Sequence, residues 1–171
     1  MTVLVTYASK HGATQGIAER ITRTLQRLGM EAAFQPVDAV TDLDTYSAIV
    51  IGSAIYYGSW MKEATEFVRR NRTVLADRPV WLFSSGPLGA EVKDDEPQPK
   101  ELGEMREAIH PRDHHIFFGA LDHDRLSFME RMVVKGIRAP EGDYRDWNEI
   151  EAWTDSIFHA LAPAGIAPSQ M

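Results

Sequence analysis

TVLVTYASKHGAT, residues 2–14, decides the fold class of this chain, because a strand, a loop and the start of a helix follow one another within it. Residues 2–7 are apolar and β-branched, which predicts a buried strand. The small residues of ASKHG, 8–12, then predict a loop. The helix that follows is predicted from apolar residues at helical spacing, with Gly29 as its end, at Ile17, Ile21, Leu25 and Leu28.

The alternation of strand and helix continues along the chain. Further strands are predicted at 31–35, 46–51, 79–84 and 115–120. Further helices are predicted at 60–75 with Ser59 as its cap, at 101–109, at 125–137, and from Asp146, where Glu149 completes a capping box. Five strand–helix alternations imply right-handed crossovers and a parallel sheet. We therefore predict an α/β, flavodoxin-like three-layer sandwich: a five-stranded parallel sheet, order 2-1-3-4-5, with helices on both faces.

Composition narrows the function classes. The chain has 171 residues, 44% hydrophobic and 25% charged, which is typical of a globular domain; we expect one domain at 1–163 and a flexible tail at 164–171. The net charge of -7 argues against a nucleic-acid partner. Without cysteine, disulfides, iron–sulfur clusters and thiol nucleophiles are excluded, so redox chemistry would need an organic cofactor. Neither a signal peptide nor a run of about 20 apolar residues is present, which predicts a cytoplasmic protein.

Ligands of such sheets bind beyond the carboxyl ends of the strands, so the loops after the first, third and fourth strands are the candidate site. Loop 1 contains Ser9, Lys10, His11, Gly12, Ala13 and Thr14. A helix N-terminus with hydroxyl groups and a glycine suits a phosphate, although an ordinary hydroxyl-capped turn would have the same composition. The motifs GxGxxG and GxxxxGK[ST] are missing, which excludes the usual dinucleotide and P-loop sites.

The composition of loops 2 and 3 indicates a ligand with a flat ring. Loop 2, residues 52–60, supplies candidate contacts at Ser53, Ala54, Ile55, Tyr56, Tyr57, Gly58 and Trp60. Its aromatic residues suit stacking, and the alternative is that Tyr57 or Trp60 packs on a neighbouring helix. Loop 3, residues 84–89, supplies a backbone-lined edge, or a plain turn, from Ser85, Gly86, Pro87, Leu88 and Gly89. A phosphate, a polar chain and a flat heteroaromatic ring together predict FMN.

The quoted motifs also resemble known families. Loop 1 resembles the [ST]-x-T-G-x-[ST] phosphate loop of flavodoxin-domain proteins, with His11 in place of the middle hydroxyl residue. The closer resemblance is to menaquinone-dependent protoporphyrinogen dehydrogenases. It is carried by an [ST]-[RK]-x-G-x-T loop at 9–14, a GxSIxYG-like loop at 52–58, Gly-Ala-Leu at 119–121 and Asp-Trp at 146–147. The resemblance implies an FMN oxidoreductase of heme biosynthesis that passes electrons from a reduced donor, with protoporphyrinogen IX as candidate, to a quinone-like acceptor.

Two other functions are compatible with the same residues. One is a small one-electron carrier between redox proteins, and the other is an interaction module without flavin. No protonating side chain is predicted. No metal site is predicted either, because Pro111 and Arg112 interrupt the spacing of His110, His114, His115 and His123, and His114 and His115 are expected on opposite faces of a strand. The amphipathic stretch 125–138 predicts a helix packed on the sheet or, alternatively, a peripheral contact with a membrane or a partner.

Overall fold

The computed structural model describes residues 1–86, 98–121, 142–143 and 145–163. Several predictions from the sequence lie outside these residues. They concern the loop 3 positions Pro87, Leu88 and Gly89, the amphipathic helix at 125–137, His123 and the tail at 164–171.

A parallel sheet forms the centre of the molecule. Its strands are β1 (Thr2–Ala8), β2 (Glu31–Pro36), β3 (Ala48–Tyr56), β5 (Val80–Ser85) and β6 (Asp113–Phe117). Their spatial order is β2-β1-β3-β5-β6, so the parallel strands taken in chain order stand 2-1-3-4-5 as predicted. Three short strands were not predicted: β4 (Ser59–Trp60) pairs with the end of β3, and β7 (Ala120–Leu121) pairs with β8 (Gly142–Asp143).

Helices cover both faces of the sheet. They are α1 (Ala13–Arg27), α2 (Lys62–Arg70), α3 (Arg72–Ala76), α4 (Leu102–Ile109) and α5 (Trp147–Leu161), with a 3₁₀ turn at Val37–Ala39. In the part of the chain that the structure describes, no helix is both long and apolar enough to cross a bilayer.

The single helix predicted at 60–75 is wrong in two respects. Ser59 lies in β4 and does not cap α2, whose N-cap position is Met61. The helix is also divided at Asn71, whose side-chain amide donates to the Phe67 carbonyl at 2.9 Å while its backbone leaves the helical conformation at φ -107°. The Asn71 side chain and its backbone N–H share the Phe67 carbonyl, a local bonding pattern typical of asparagine at a helix boundary.

Each face of the sheet has its own apolar core. α1 and α5 cover one face, where Ile17, Ile21 and Leu25 pack against Ile150 and Ile157. α2, α3 and α4 cover the other. Because both faces are covered, the central strands are buried on both sides, which explains their continuous apolar sequences.

The predicted ends of the outer helices are confirmed in part. Gly29, at φ +93°, ends α1, and the Met30 N–H donates to the Leu25 carbonyl at 3.0 Å, as in a Schellman motif. The Asp146 carboxylate caps α5 by accepting from the N–H groups of residues 148 and 149. The Glu149 carboxylate, expected in a capping box, instead contacts His115 Nε2 at 2.7 Å.

Candidate functional site

Loop 1 closes over the carboxyl end of β1 before α1 begins. The Gly12 N–H donates to Ser9 Oγ at 3.1 Å, which ties the two ends of the loop together. Gly12 is the N-cap residue of α1 and has φ +90°, a left-handed conformation that glycine adopts without a Cβ penalty. The loop therefore turns the chain sharply and presents the first turn of α1 at the edge of the sheet.

The first turn of α1 has features that suit an anion. It holds no acidic residue, and its N-cap residue, Gly12, provides no side-chain cap. The Thr14 side chain is only 1% exposed, and its Oγ1 has no hydrogen-bond partner among the described residues. Leaving a buried hydroxyl unsatisfied costs about 1–3 kcal/mol. A phosphate that accepted from this hydroxyl and from the helix N–H groups would remove that cost.

Arg145 is a residue of this region that the sequence analysis missed. Its Nη1 lies 3.4 Å from the carbonyl oxygen of Ala13, the first residue of α1. Its guanidinium also covers the Trp147 ring, with 4.7 Å between Cζ and the ring centroid. The Arg145–Ala13 contact joins positions 132 residues apart, so no local sequence signal could have revealed it.

Loop 2 is a β-hairpin rather than an open loop. Ile55 pairs with Trp60 and Tyr56 with Ser59, which leaves Tyr57 and Gly58 as a two-residue turn. Both turn residues have positive φ, +51° and +76°, the signature of a type I′ turn. A left-handed conformation costs an L-residue such as tyrosine roughly 1–2 kcal/mol. The Tyr57 side chain is 77% exposed at the tip of this hairpin. The strained backbone conformation of Tyr57 thus occurs at a position whose side chain faces solvent.

Trp60 is buried, which favours packing in the core over the predicted stacking on a ligand. Its side chain is buried in the core beneath the sheet, where the indole N–H donates to Ser84 Oγ at 2.8 Å. A buried tryptophan needs such a partner for its N–H, and Ser84 provides it from the neighbouring strand. The Trp60 backbone N–H donates to Glu101 Oε2 at 3.1 Å, so Trp60 fixes the second strand of the hairpin.

Ser53 also has a structural role in the sheet. It is fully buried in β3, with β1 on one side and β5 on the other. Its Oγ donates to the Ala54 carbonyl at 2.9 Å and accepts from the Met61 N–H at 3.0 Å. That the backbone of Ser53 borders a ligand stays a prediction, and the enclosure of this residue by the sheet argues against it. The residues of loop 2 with solvent exposure are Ala54, Ile55, Tyr56, Tyr57, Gly58 and Ser59.

The sequence analysis also did not predict a buried polar contact near the hairpin. Ser84 Oγ lies 2.7 Å from His114 Nε2 and thus joins the Trp60 indole to the imidazole of β6. Burial, and next the positive charge of Arg106, lower the pKa of His114 from 6.5 to about 4. The ring is therefore neutral near pH 7. His115 contacts Glu149 of α5 on the other side of the sheet, so the prediction that the two histidines face opposite ways is confirmed.

The three loops meet at one edge of the sheet. The ring centroids of His11 and Tyr56 lie 6.5 Å apart at an interplanar angle of 77°, which brings loop 1 against loop 2. Gly86 follows β5 with φ +111°, and a Cβ on it would lie 3.8 Å from the Ile55 carbonyl oxygen, so loop 3 borders loop 2. A Cβ on Gly119 would lie 3.4 Å from Gly86 N. The predicted convergence of the loops is thus present.

This edge combines two chemical environments. Loop 1 offers N–H groups, hydroxyls and the exposed Lys10, whereas loop 2 offers the exposed Tyr57 and the half-buried Tyr56, whose pKa burial raises above its usual value. The arrangement suits a molecule with an anionic group at one end and a flat ring at the other. Within residues 1–86, 98–121, 142–143 and 145–163, no three histidine, aspartate or glutamate side chains are placed to hold a metal ion.

Comparisons with known proteins agree with this geometry. A family model described as a flavodoxin domain matches residues 4–148. The protein named Protoporphyrinogen IX dehydrogenase [quinone] of Escherichia coli K12 is 24% identical over 173 residues, which cover 93% of this chain and 96% of that protein.

Solved structures share the fold. A flavodoxin from the domain Archaea superposes with a TM-score of 0.62 at 17% identity, covering 94% of this chain and 98% of the other. Oxidised Flavodoxin 2 from Bacillus cereus superposes with a TM-score of 0.64 at 19% identity, covering 94% and 100%. At these identities the likeness concerns the fold, and it confirms the predicted architecture.

Proposed function

Because this chain belongs to the flavodoxin-domain family, we propose that its residues 1–163 bind FMN in loops 1, 2 and 3 and act as an FMN-dependent oxidoreductase. The relationship to the E. coli dehydrogenase supports a flavin enzyme. The observation that carries the proposal is the buried Thr14 hydroxyl, which has no hydrogen-bond partner among the described residues, at the start of a helix whose first turn lacks acidic residues.

The residues of loop 1 fit the phosphate of FMN. The Thr14 hydroxyl and the first N–H groups of α1 would donate to phosphate oxygens. Ser9 Oγ already accepts from the Gly12 N–H, so its own proton is available to a phosphate oxygen. His11 and the exposed Lys10 add side-chain nitrogens at the rim of the same loop.

The residues of loops 2 and 3 fit the ring. Tyr57 would cover one face of it, because its side chain is exposed and the hairpin fixes its position. The backbone from Ala54 to Gly58 and the residues Ser85 and Gly86 would border the edges; Pro87, Leu88 and Gly89 complete this set in our proposal. The bound flavin supplies the transfer of electrons, and the protein binds it, orients it and excludes water. No side chain is assigned to proton transfer.

The donor and the acceptor are proposed from the relative. The name of the E. coli protein specifies protoporphyrinogen IX and a quinone. We propose that this chain likewise oxidises a porphyrinogen-like small molecule and passes the electrons to a quinone-like acceptor. Since such acceptors reside in membranes, we further propose that the protein is cytoplasmic and touches the membrane through the amphipathic stretch 125–138.

The first experiment tests the cofactor. The purified protein is titrated with FMN, and the shift of the visible flavin bands on binding is measured. Thr14→Val should weaken binding at least about tenfold, since a hydrogen bond to a charged group contributes about 1.5–3 kcal/mol. The matched control is Thr22→Val, because Thr22 is buried in the same helix but its hydroxyl already donates to the Ala18 carbonyl at 2.8 Å. If the wild-type protein binds no FMN, the proposal fails and the interaction module is favoured.

A second experiment tests the reaction. Protoporphyrinogen IX is supplied anaerobically with a soluble quinone, and porphyrin formation is followed by its fluorescence. Turnover that requires FMN supports the enzyme. Absence of turnover, together with accumulation of one-electron-reduced flavin on stepwise reduction, would instead identify an electron carrier between redox proteins.

A further inference from the structure

Arg145 contacts the first turn of α1, next to the loop 1 residues that are proposed to hold the phosphate. We propose that Arg145 is a positioning residue that makes this site selective for phosphorylated flavin over flavin without a phosphate. The inference rests on the FMN site proposed above.

The guanidinium is seated directly against α1. Its Nη1 lies 3.4 Å from the Ala13 carbonyl oxygen, and the Arg145 side chain is largely buried there, with 18% exposure. Gly16 makes this approach possible, because a Cβ at that position would overlap Nη1 of Arg145. A glycine in the interior of a helix normally makes the helix less stable than alanine would. Gly16 therefore has a cost in helix stability, and the guanidinium fills the space that its missing side chain leaves.

The ion pair of Arg145 fixes the orientation of its guanidinium. Asp143 holds the other edge of the guanidinium, with Nε at 2.9 Å from Oδ1 and Nη2 at 2.7 Å from Oδ2. This contact lowers the pKa of the Asp143 carboxyl below its usual value, so the carboxylate is charged near pH 7. The pair therefore directs its positive edge, Nη1, toward α1 and its negative edge away from it.

The peptide that Arg145 contacts is the one that serves the phosphate. The Ala13 carbonyl and the Thr14 N–H belong to the same planar peptide group. A cation at the carbonyl oxygen polarises that group and strengthens the N–H as a donor. Arg145 thus adds to the positive potential that the N-terminus of α1 already has, without contacting the ligand itself.

The tryptophan that Arg145 contacts is also contacted by a second arginine, which serves as a control. Trp147 contacts two guanidinium groups, those of Arg145 and Arg20, each with Cζ 4.7 Å from the ring centroid. Arg20 also has an ion pair, with Glu151 at 2.8 Å, but it lies further along α1, away from loop 1. Both arginines therefore contact Trp147 and pair with a carboxylate, and Arg145 is the one that contacts the Ala13 carbonyl in the first turn.

The test compares two ligands. Dissociation constants for FMN and for riboflavin, which lacks the phosphate, are measured by quenching of flavin fluorescence for the wild-type protein, Arg145→Gln, Arg145→Lys and Arg20→Gln. Arg145→Gln should weaken FMN binding about tenfold and leave riboflavin binding unchanged. Arg145→Lys should restore part of the loss, and Arg20→Gln should leave the ratio of the two constants unchanged. Because the Asp143 side chain is half exposed, water can solvate it when its partner is removed.

A second variant keeps the proposal testable if the Arg145→Gln protein does not fold. Gly16→Ala keeps every charge and favours the helix, but it displaces the guanidinium, so it should also lower the affinity for FMN relative to riboflavin. Equal loss for both ligands, or no loss, in Arg145→Gln and Gly16→Ala would overturn the inference. Absence of FMN binding by the wild-type protein would overturn the proposed function instead, so the two failures are distinguishable.

Discussion

Acidification should destabilise this protein through the buried imidazole of His114. The perturbation is a change of pH, combined with the substitution His114→Gln, which keeps a polar atom near Ser84 Oγ but cannot titrate. The groups that act on the ring are Arg106 and His115, which lower its pKa, and Asp113, which raises it, all after burial itself.

The sign and size follow from the pKa of about 4 in the folded protein against 6.5 for an exposed histidine. Between these values the unfolded chain binds a proton that the folded protein does not, so stability is fully present above pH 6.5 and is lost as the pH falls toward 4. Between pH 7 and pH 5 the full shift would remove about 2 kcal/mol, and about half of that remains once partial exposure of the ring is allowed for.

The assay is urea unfolding at a series of pH values for the wild-type protein and His114→Gln. The other titrating groups are common to both proteins, so the difference between their free energies of unfolding isolates His114. We expect the wild-type protein to lose about 1–2 kcal/mol more than the variant from pH 7 to pH 5. Parallel pH profiles for the two proteins would refute the reasoning.

Three further predictions concern single positions. Thr6→Val should raise the free energy of unfolding by about 1 kcal/mol in urea, because the buried Thr6 hydroxyl has no hydrogen-bond partner among the described residues; a lower stability would contradict this. Tyr57→Asn should leave the free protein at least as stable, since it relieves a left-handed conformation that costs tyrosine about 1 kcal/mol, yet weaken FMN binding. Undiminished affinity in that titration would remove Tyr57 from the ring site. Gly52→Ala should destabilise by about 3 kcal/mol in thermal unfolding, because its Cβ would overlap the Phe83 ring, and Phe83→Leu should recover part of the loss only in that background.

The fold could be predicted because its signals lie within single elements. The apolar sequence of β1 and the helical spacing of Ile17, Ile21 and Leu25 each reflect burial of one local surface. The turn from strand to helix at Gly12 is equally local. Once strands and helices alternate, the handedness of the crossovers leaves few possible sheets, and the strand order follows.

The interior of the site could not be predicted in the same way. A type I′ turn is usually indicated by Asn-Gly or Asp-Gly, and a tyrosine at its first position hides the hairpin at Tyr57 and Gly58. Sequence also cannot distinguish an exposed aromatic residue from a buried one in the same loop. Trp60 is buried because Ser84, from the next parallel strand, accepts its N–H, and that partner becomes visible only when the strands are side by side.

The packing of α1 against α5 has a consequence for the order in which the protein is made. Arg20 of α1 contacts Glu151 of α5, 131 residues later. At a ribosomal rate of about 5–20 residues per second, these two helices are synthesised roughly 7 to 26 s apart. During that interval the apolar side of α1 has no cover from α5, and Arg145 has not yet reached Ala13. The first turn of α1 is thus among the first parts of the chain to leave the ribosome and among the last to gain its contacts, so we expect the proposed cofactor to bind only after α5 has been synthesised.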